Sequence, residues 1–380
     1  MTPFFKLHVA HIRFYIIVVI ATIPFVSCKK KDEHGFREQS IQVQFLDIGP
    51  GRNDGINRGY GIVLTNPFLL SGIREYTYLD GKWEQTGTVT DESAGWAWLD
   101  DLKSDGKQHL IALGHKYFEE TYNIEHQYFT ELTYDAEEWK RDTIYSSDFE
   151  VIVGGFASGK FSNQDTKSLI VQELDIGEER LIEVFFTGTE WNTRLIEILD
   201  SDDPIVGMAA GNVRGLDRDH VYLSSRSGRL FELAYDGEWQ KTEMPQIFPG
   251  EPEVSYAYSF LLQPIDETGS LYVMGVENFY EYYFENGSWS REVLSSTIGG
   301  PFEIEYGDVR NDGVNRLYMP AIFGTIYEIT PGSEKAEVNK YRLSGSDAVQ
   351  NILIADGRND GVNRVYVVQG WTNNLELTYR

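Results

Sequence analysis

Several things that other architectures depend on are scarce in this chain. Its 380 residues hold one cysteine, Cys28, so no disulfide can form within it. Basic residues are few: 33 Lys and Arg stand against 59 Asp and Glu, a formal charge of -26. A surface of that sign repels nucleic acid phosphates and anionic lipid headgroups, which excludes nucleic acid as a partner and excludes electrostatic membrane docking. Helical periodicity of any length is absent from about residue 36 onward, which excludes bundles and α/β layers. The sequence also lacks GxSxG, a phosphate-cradling GxxxxGK, a cysteine nucleophile in the body of the chain, and the metal-ligand spacings HxH and HExxH.

There is one long uncharged apolar run, Phe14–Val26, preceded by Lys6 and Arg13. It is shorter than the ~20 residues that a membrane helix needs and suits the core of a secretory signal. The run ends in Phe25-Val26-Ser27-Cys28, which resembles a bacterial lipobox, although Phe25 departs from the usual Leu. That resemblance implies cleavage before Cys28, lipid on Cys28 and an address in the bacterial cell envelope, as an outer-membrane or cell-surface lipoprotein. Residues 1–27 are thus expected to be a signal peptide and residues 28–35 a tether. The remaining residues, 36–380, read as a single monomeric domain that touches the membrane through the anchor only.

What is abundant is aromatic, 14% of residues, and it recurs. Short strands separated by turn signals carry Arg74-Glu-Tyr-Thr-Tyr-Leu-Asp-Gly-Lys-Trp83, and similar strings end at Trp139, Trp191, Trp239 and Trp289. These tryptophans are 56, 52, 48 and 50 residues apart. Asp-Gly and Asn-Gly accept positive φ and close two-residue hairpins. Four strands per ~50 residues at near-constant spacing is the sequence form of a β-propeller. First turns near Asp47, Asp101, Ser158, Asn212, Leu262, Asp308 and Asp356 count seven four-stranded blades in an all-β fold. The seventh lacks an outer strand after Leu375-Glu-Leu-Thr-Tyr379. Gly35-Phe36-Arg37-Glu38-Gln39-Ser40, similar to Gly81–Thr86, is expected to supply it and close the ring.

The most unusual string is the first turn itself. Asp308-Val-Arg310-Asn-Asp312-Gly313-Val-Asn315-Arg316 is nearly repeated at Asp356–Arg364 and, less closely, in Asp47–Tyr60. It resembles the loop of FG-GAP or VCBS propeller repeats, whose acids at turn positions 1, 3, 5 and 9 coordinate calcium. Here position 3 is Arg310 or Arg358 and position 9 is Arg316 or Arg364, with Lys103 matching position 3 in the second blade. Guanidinium groups cannot ligate a cation, and the oxygens fall short of the six to eight that calcium takes. The residues therefore read as metal-free bracing, with arginine holding the aspartates through forked hydrogen bonds. The bracing set is Asp47, Arg52, Asp54, Asp308, Arg310, Asp312, Arg316, Asp356, Arg358, Asp360 and Arg364, with no cofactor.

Chemistry is thinly marked. His34, His109, His115, His126 and His220 show no ligand spacing and read as satisfied or surface side chains. The acids are too numerous for any pair to be singled out. Aromatics are the better signal: Trp96 and Trp98 share one face of the second inner strand, and Tyr256 and Tyr258 one face of the fifth. Such rings suit a sugar, as in propeller lectins, or else fill the space between blades as the five repeated tryptophans do. Two departures from the repeat, Lys116–Gln127 and Pro245–Glu253, are further places for specificity. The reading is a binding module for a glycan or an envelope protein. The alternatives are a carbohydrate-active or other hydrolytic propeller enzyme, and a structural subunit of an envelope complex.

Overall fold

A computed structural model describes residues 35–62, 72–117, 124–147, 152–163, 165–175, 178–199, 202–246, 261–265, 269–275, 278–296, 303–321, 324–331, 336–344, 349–369 and 373–380. Cys28 with the signal and tether, Tyr256 and Tyr258 lie outside these residues, as does most of Pro245–Glu253. The described residues form seven four-stranded antiparallel sheets with no helix, a seven-bladed β-propeller as the repeat predicts. The inner strands, in order, are Gln44–Gly49, Ala94–Asp100, Ile152–Gly159, Ile205–Gly211, Leu261–Ile265, Glu305–Gly307 and Val349–Ala355.

The ring closes with a strand from the start of the domain. Phe36–Ile41 is the outer strand of blade 7 and pairs antiparallel with Asn373–Tyr379, from Phe36 opposite Tyr379 to Ile41 opposite Asn374. Phe36 thereby takes the place that tryptophan holds in other blades and meets Tyr341 of blade 6 edge-on at 4.8 Å.

The core lies between blades rather than inside them. Tyr272 and Phe279 of blade 5 pack with Leu317 and Met319 of blade 6. Val309 and Tyr318 of blade 6 pack in turn with Ile352 and Val365 of blade 7. Phe45 and Tyr76 of blade 1 meet Tyr366 of blade 7 across the closure. A second strand is covered on both faces by neighbouring blades, so Arg58–Ile62, His220–Ser225 and Arg316–Ala321 are buried at every position. Outer strands such as Trp239–Met244 are mostly exposed, which is why their sequences are polar. The repeated tryptophans sit in the inter-blade layer: Trp83 of blade 1 packs edge-on to Tyr366 of blade 7, and Trp289 of blade 5 to Tyr222 of blade 4. The hairpins at Asp80-Gly81 and Asn286-Gly287 have positive φ at both residues, as their sequences require.

Candidate functional site: the turn clamps and the channel

The repeated turn joins the inner strand of a blade to its second strand. Asp308 accepts hydrogen bonds from the amides of Asp312 (3.1 Å) and Gly313 (2.7 Å), and Asp356 does the same for Asp360 and Gly361. Gly313 and Gly361 have φ of 81° and 79°, with open space where a side chain would stand, so backbone conformation alone selects glycine. Position 9 grips position 5 in a fork. Arg316 donates to both oxygens of Asp312 (2.9 and 2.8 Å), and Arg58 and Arg364 hold Asp54 and Asp360 in the same way. The guanidinium of Arg58 holds Asp54 down to about 2, and that of Arg316 does so for Asp312.

Several expectations are corrected here. Arg52, Arg310 and Arg358 do not hold aspartates. They reach a glutamate in the third strand of their own blade: Arg52 forks onto Glu75 at 2.8 and 2.6 Å, and Arg310 onto Glu328 at 3.1 and 2.5 Å. Arg358 pairs with Glu376. The reason is reach: position 3 points inward along the sheet, whereas position 9 opens the second strand beside position 5. Asp47 is not a turn residue either. Pro50 fills the first turn position of blade 1, while Asp47 lies in the strand Gln44–Gly49, where it accepts from the amides of Ile48 (2.6 Å) and Leu99 (2.5 Å). Likewise the turn of blade 3 begins at Lys160 rather than Ser158, and Leu262 stands within an inner strand.

The residue that sequence reasoning missed is the glutamate itself. Glu75, Glu131, Glu183, Glu232, Glu281, Glu328 and Glu376 occupy one register position in seven blades, opposite Tyr60, Ile111, Ile170, Tyr222, Tyr272, Tyr318 and Tyr366. All but Glu281 are fully buried. Each has a set of donors, because a buried lone carboxylate costs several kcal/mol, on the order of an unpaired buried ion. Glu131 is held by Lys103 and by His109 Nδ1 (2.5 Å). Glu183 takes Ser162 (2.5 Å), Ser168 (2.8 Å) and Arg194, and Glu232 takes His220 Nδ1 (2.6 Å) and Trp289 Nε1 (3.0 Å). Burial pushes Glu131 and Glu232 up, but these donors outweigh it and leave both below the ordinary carboxylate value. His109 and His220 are thus core histidines, each bound to its glutamate through Nδ1. The signal lies in the repeat: glutamate begins each copy of the Glu-Leu-Thr-Tyr motif.

The same cations join neighbours. Arg52 lies over the Tyr134 ring of blade 2 at 4.2 Å, Arg358 over Tyr78 of blade 1 at 4.2 Å, and Arg214 over Phe284 of blade 5 at 3.9 Å. Trp83 of blade 1 donates Nε1 to Glu376 of blade 7 at 3.2 Å. The turns also interlock through positions 4 and 8. Asn359, at a φ of 58°, accepts from the amide of Asn57 (2.6 Å) and donates to its carbonyl (3.0 Å), across the ring closure. Asn311 does the same with Asn363, and Asn53 with Gln108. This stitch runs through blades 6, 7, 1 and 2.

The clamp does not fit calcium. Both oxygens of Asp312 are held by Arg316 and both of Asp308 by backbone amides, which leaves no converging oxygens. Among the described residues no group of three His, Cys, Asp or Glu is placed to hold a metal ion.

In the channel, the candidate aromatics separate. Trp98 stacks on Phe156 of blade 3 (4.6 Å, 16°) and is spent on packing. Trp96 is 47% exposed, while Trp83, Trp98, Trp139, Trp191, Trp239 and Trp289 are half-buried. Near it, His115 Nε2 meets Gln127 (2.8 Å), whose Oε1 accepts from the Val153 amide (2.7 Å) and so ties blade 2 to blade 3. Both belong to the paired strands His109–Tyr117 and Ile124–Asp135, whose facing ends, 116–117 and 124–127, are the described part of the Lys116–Gln127 excursion. Acids of two inner strands, Glu305 and Asp47, also feel one another's charge. Burial raises Glu305, and the charges of Glu303 and Asp47 raise it further; Asp47 itself is raised to about 6, chiefly by burial.

Solved structures share this architecture. The chain resembles Sqt1 of Saccharomyces cerevisiae at a TM-score of 0.56 and 11% identity, covering 91% of this chain and 98% of that one. It resembles BBS1N, solved in complex with ARL6DN, at 0.54 and 11%, covering 90% and 92%. A Lactobacillus plantarum protein matches at 0.55 and 10%, covering 84% and 91%. These likenesses define the class as a β-propeller repeat protein. No protein-family model and no curated protein matches the chain.

Proposed function

We propose that this is a binding propeller of the bacterial envelope, anchored by lipid on Cys28, that takes a glycan or a partner protein where the inner strands begin. The observation that carries this reading is Trp96. Every other described tryptophan is at least half-buried, whereas Trp96 leaves 47% of its surface open on an innermost strand. The flat face of that ring suits a sugar or a protein side chain. BBS1N, a propeller of similar fold, was solved with a protein partner, which supports the protein arm. The FG-GAP or VCBS relationship belongs to the same proposal, with arginine in place of the metal.

The test is a glycan array run beside a pulldown from envelope extract, each with the wild-type chain and Trp96→Ala. Capture of one glycan class or one protein, lost in the variant while the melting temperature holds, supports the reading. Turnover of a captured sugar, or capture unaffected by the variant, contradicts it.

A further inference from the structure

The closure between blades 7 and 1 is also concave. A cavity of about 490 Å³ lies there, lined by Arg37, Gln39, Tyr78, Gly81, Arg358, Arg364, Thr378 and Arg380. Four arginines around one cavity are unexpected in a chain of formal charge -26. Their placement follows from register. Arg37 stands opposite Thr378 and Gln39 opposite Glu376, so all four project from the same sheet face, as does Arg380 two residues beyond Thr378.

The repeat shows that this is no scaffold requirement. The positions matching Arg37 and Arg380 hold Glu84 and Leu79 in blade 1, Asn192 and Thr187 in blade 3, and Gln240 and Asp236 in blade 4. In blade 2 they hold Lys140 and Asp135, which neutralise each other at 2.5 Å. Arg37 and Arg380 have no carboxylate partner among the described residues. Deeper in the cavity, Arg358 is bound by Glu376 and by Gln39 (2.8 Å) through Nη2, while its Nε is buried and has no acceptor. Three guanidinium groups with unused donors, beside a hydroxyl and a tyrosine ring, form an oxyanion receptor with room for more than the anion.

We propose that the cavity at the blade 7–blade 1 closure binds a phosphate or sulfate monoester of sugar size, its oxyanion held by Arg37, Arg380 and Arg358 and its body against Tyr78, Gln39 and Thr378. This site is separate from Trp96 and stands whether or not the channel mouth binds anything. The experiment is isothermal titration of the full chain at low ionic strength with glucose 6-phosphate, glucose 6-sulfate, inorganic phosphate and glucose. Saturable one-site binding of either ester, at least tenfold tighter than inorganic phosphate and absent for glucose, is expected. Arg37→Gln/Arg380→Gln should weaken that binding tenfold or more with the melting temperature unchanged, because both side chains are exposed. Trp96→Ala should leave it intact. No binding by either ester at millimolar concentration, equal binding of inorganic phosphate, or undiminished binding in the double variant would overturn the proposal.

Discussion

Blades 6, 7, 1 and 2 are joined differently from blades 3 and 5; blade 4 keeps the cation, Arg214 on Glu232, and its turn meets that of blade 3 through Asp219 and Lys160. In the first group the turns interlock through Asn311–Asn363, Asn359–Asn57 and Asn53–Gln108, and Arg310, Arg358, Arg52 or Lys103 clamps the third-strand glutamate. In blade 3 two serine hydroxyls and Arg194, from the outer strand, do that work on Glu183. In blade 5, Ser270 and the Tyr272 hydroxyl hold Glu281. The buried carboxylate is constant while its donors vary, so the fold requires the satisfied charge rather than one partner. The closely repeated group also flanks the closure, where the first and last strands of the domain meet. A ring that must be shut by a non-contiguous strand gains most from turns that hold neighbouring blades together before the strand docks.

The largest expected effect comes from removing the charge inside a clamp. Glu376→Gln leaves Arg358 and Arg364 facing a neutral amide and should cost about 3 kcal/mol or more in denaturant unfolding, the range for breaking a buried pair. Glu281→Gln, whose hydroxyl donors Ser270 and Tyr272 tolerate an amide, should cost about 1 kcal/mol. Equal losses would show that the two groups of blades are braced alike.

A smaller effect tests the stitch. Asn359→Gly keeps the positive φ and deletes hydrogen bonds to blade 1, so it should cost about 1 kcal/mol. Asn163→Ala in blade 3 removes bonds within a single turn and should cost a few tenths of that, a surface-substitution effect of roughly 0.5 kcal/mol or less. The reverse order would show that the inter-blade amide bonds add nothing.

The smallest effect separates channel from turn. Asp47, raised from 3.8 to about 6, favours the folded state while protonated; that contribution is full below pH 3.8 and is lost as pH rises through 6. Asp54 and Asp312, lowered from 3.8 to about 2, act oppositely, and their contribution fades as pH falls below 3.8. The melting temperature should therefore peak near pH 4, slip by about a degree or two between pH 4 and pH 6 and level off above that, since 1 kcal/mol moves a domain of this size by roughly 2 °C. Asp47→Asn should flatten the alkaline side alone. An unchanged profile in that variant would place the titration elsewhere.

The fold was legible because a propeller repeats its instructions: the Glu-Leu-Thr-Tyr…Trp string, the Asp-Gly hairpins and the Gly35–Ser40 echo of Gly81–Thr86 each reported one strand or turn. The forks of Arg58, Arg316 and Arg364 were legible too, since positions 5 and 9 stand close in any such turn. The partners of Arg52, Arg310 and Arg358 were not, because Glu75, Glu328 and Glu376 lie 23, 18 and 18 residues away and meet them only after the sheet forms. Asp47 misled for a related reason. A strand bulge between Phe45 and Asp47 shifts the register, so the aspartate that begins the string faces Leu99 of blade 2 and Pro50 starts the turn. Trp96 and Trp98 looked equivalent by alternation; only the position of Phe156 on the neighbouring blade tells them apart.

The claim on which the rest depends is that arginine has taken the place of a metal in these turns. Scanning calorimetry of the chain in excess EDTA and in millimolar calcium measures it directly. The two melting temperatures should agree within about a degree, because the aspartate oxygens are already held by guanidinium and amide donors. A rise of many degrees with calcium would mean that the turns hold an ion, and the arginine clamp would be wrong.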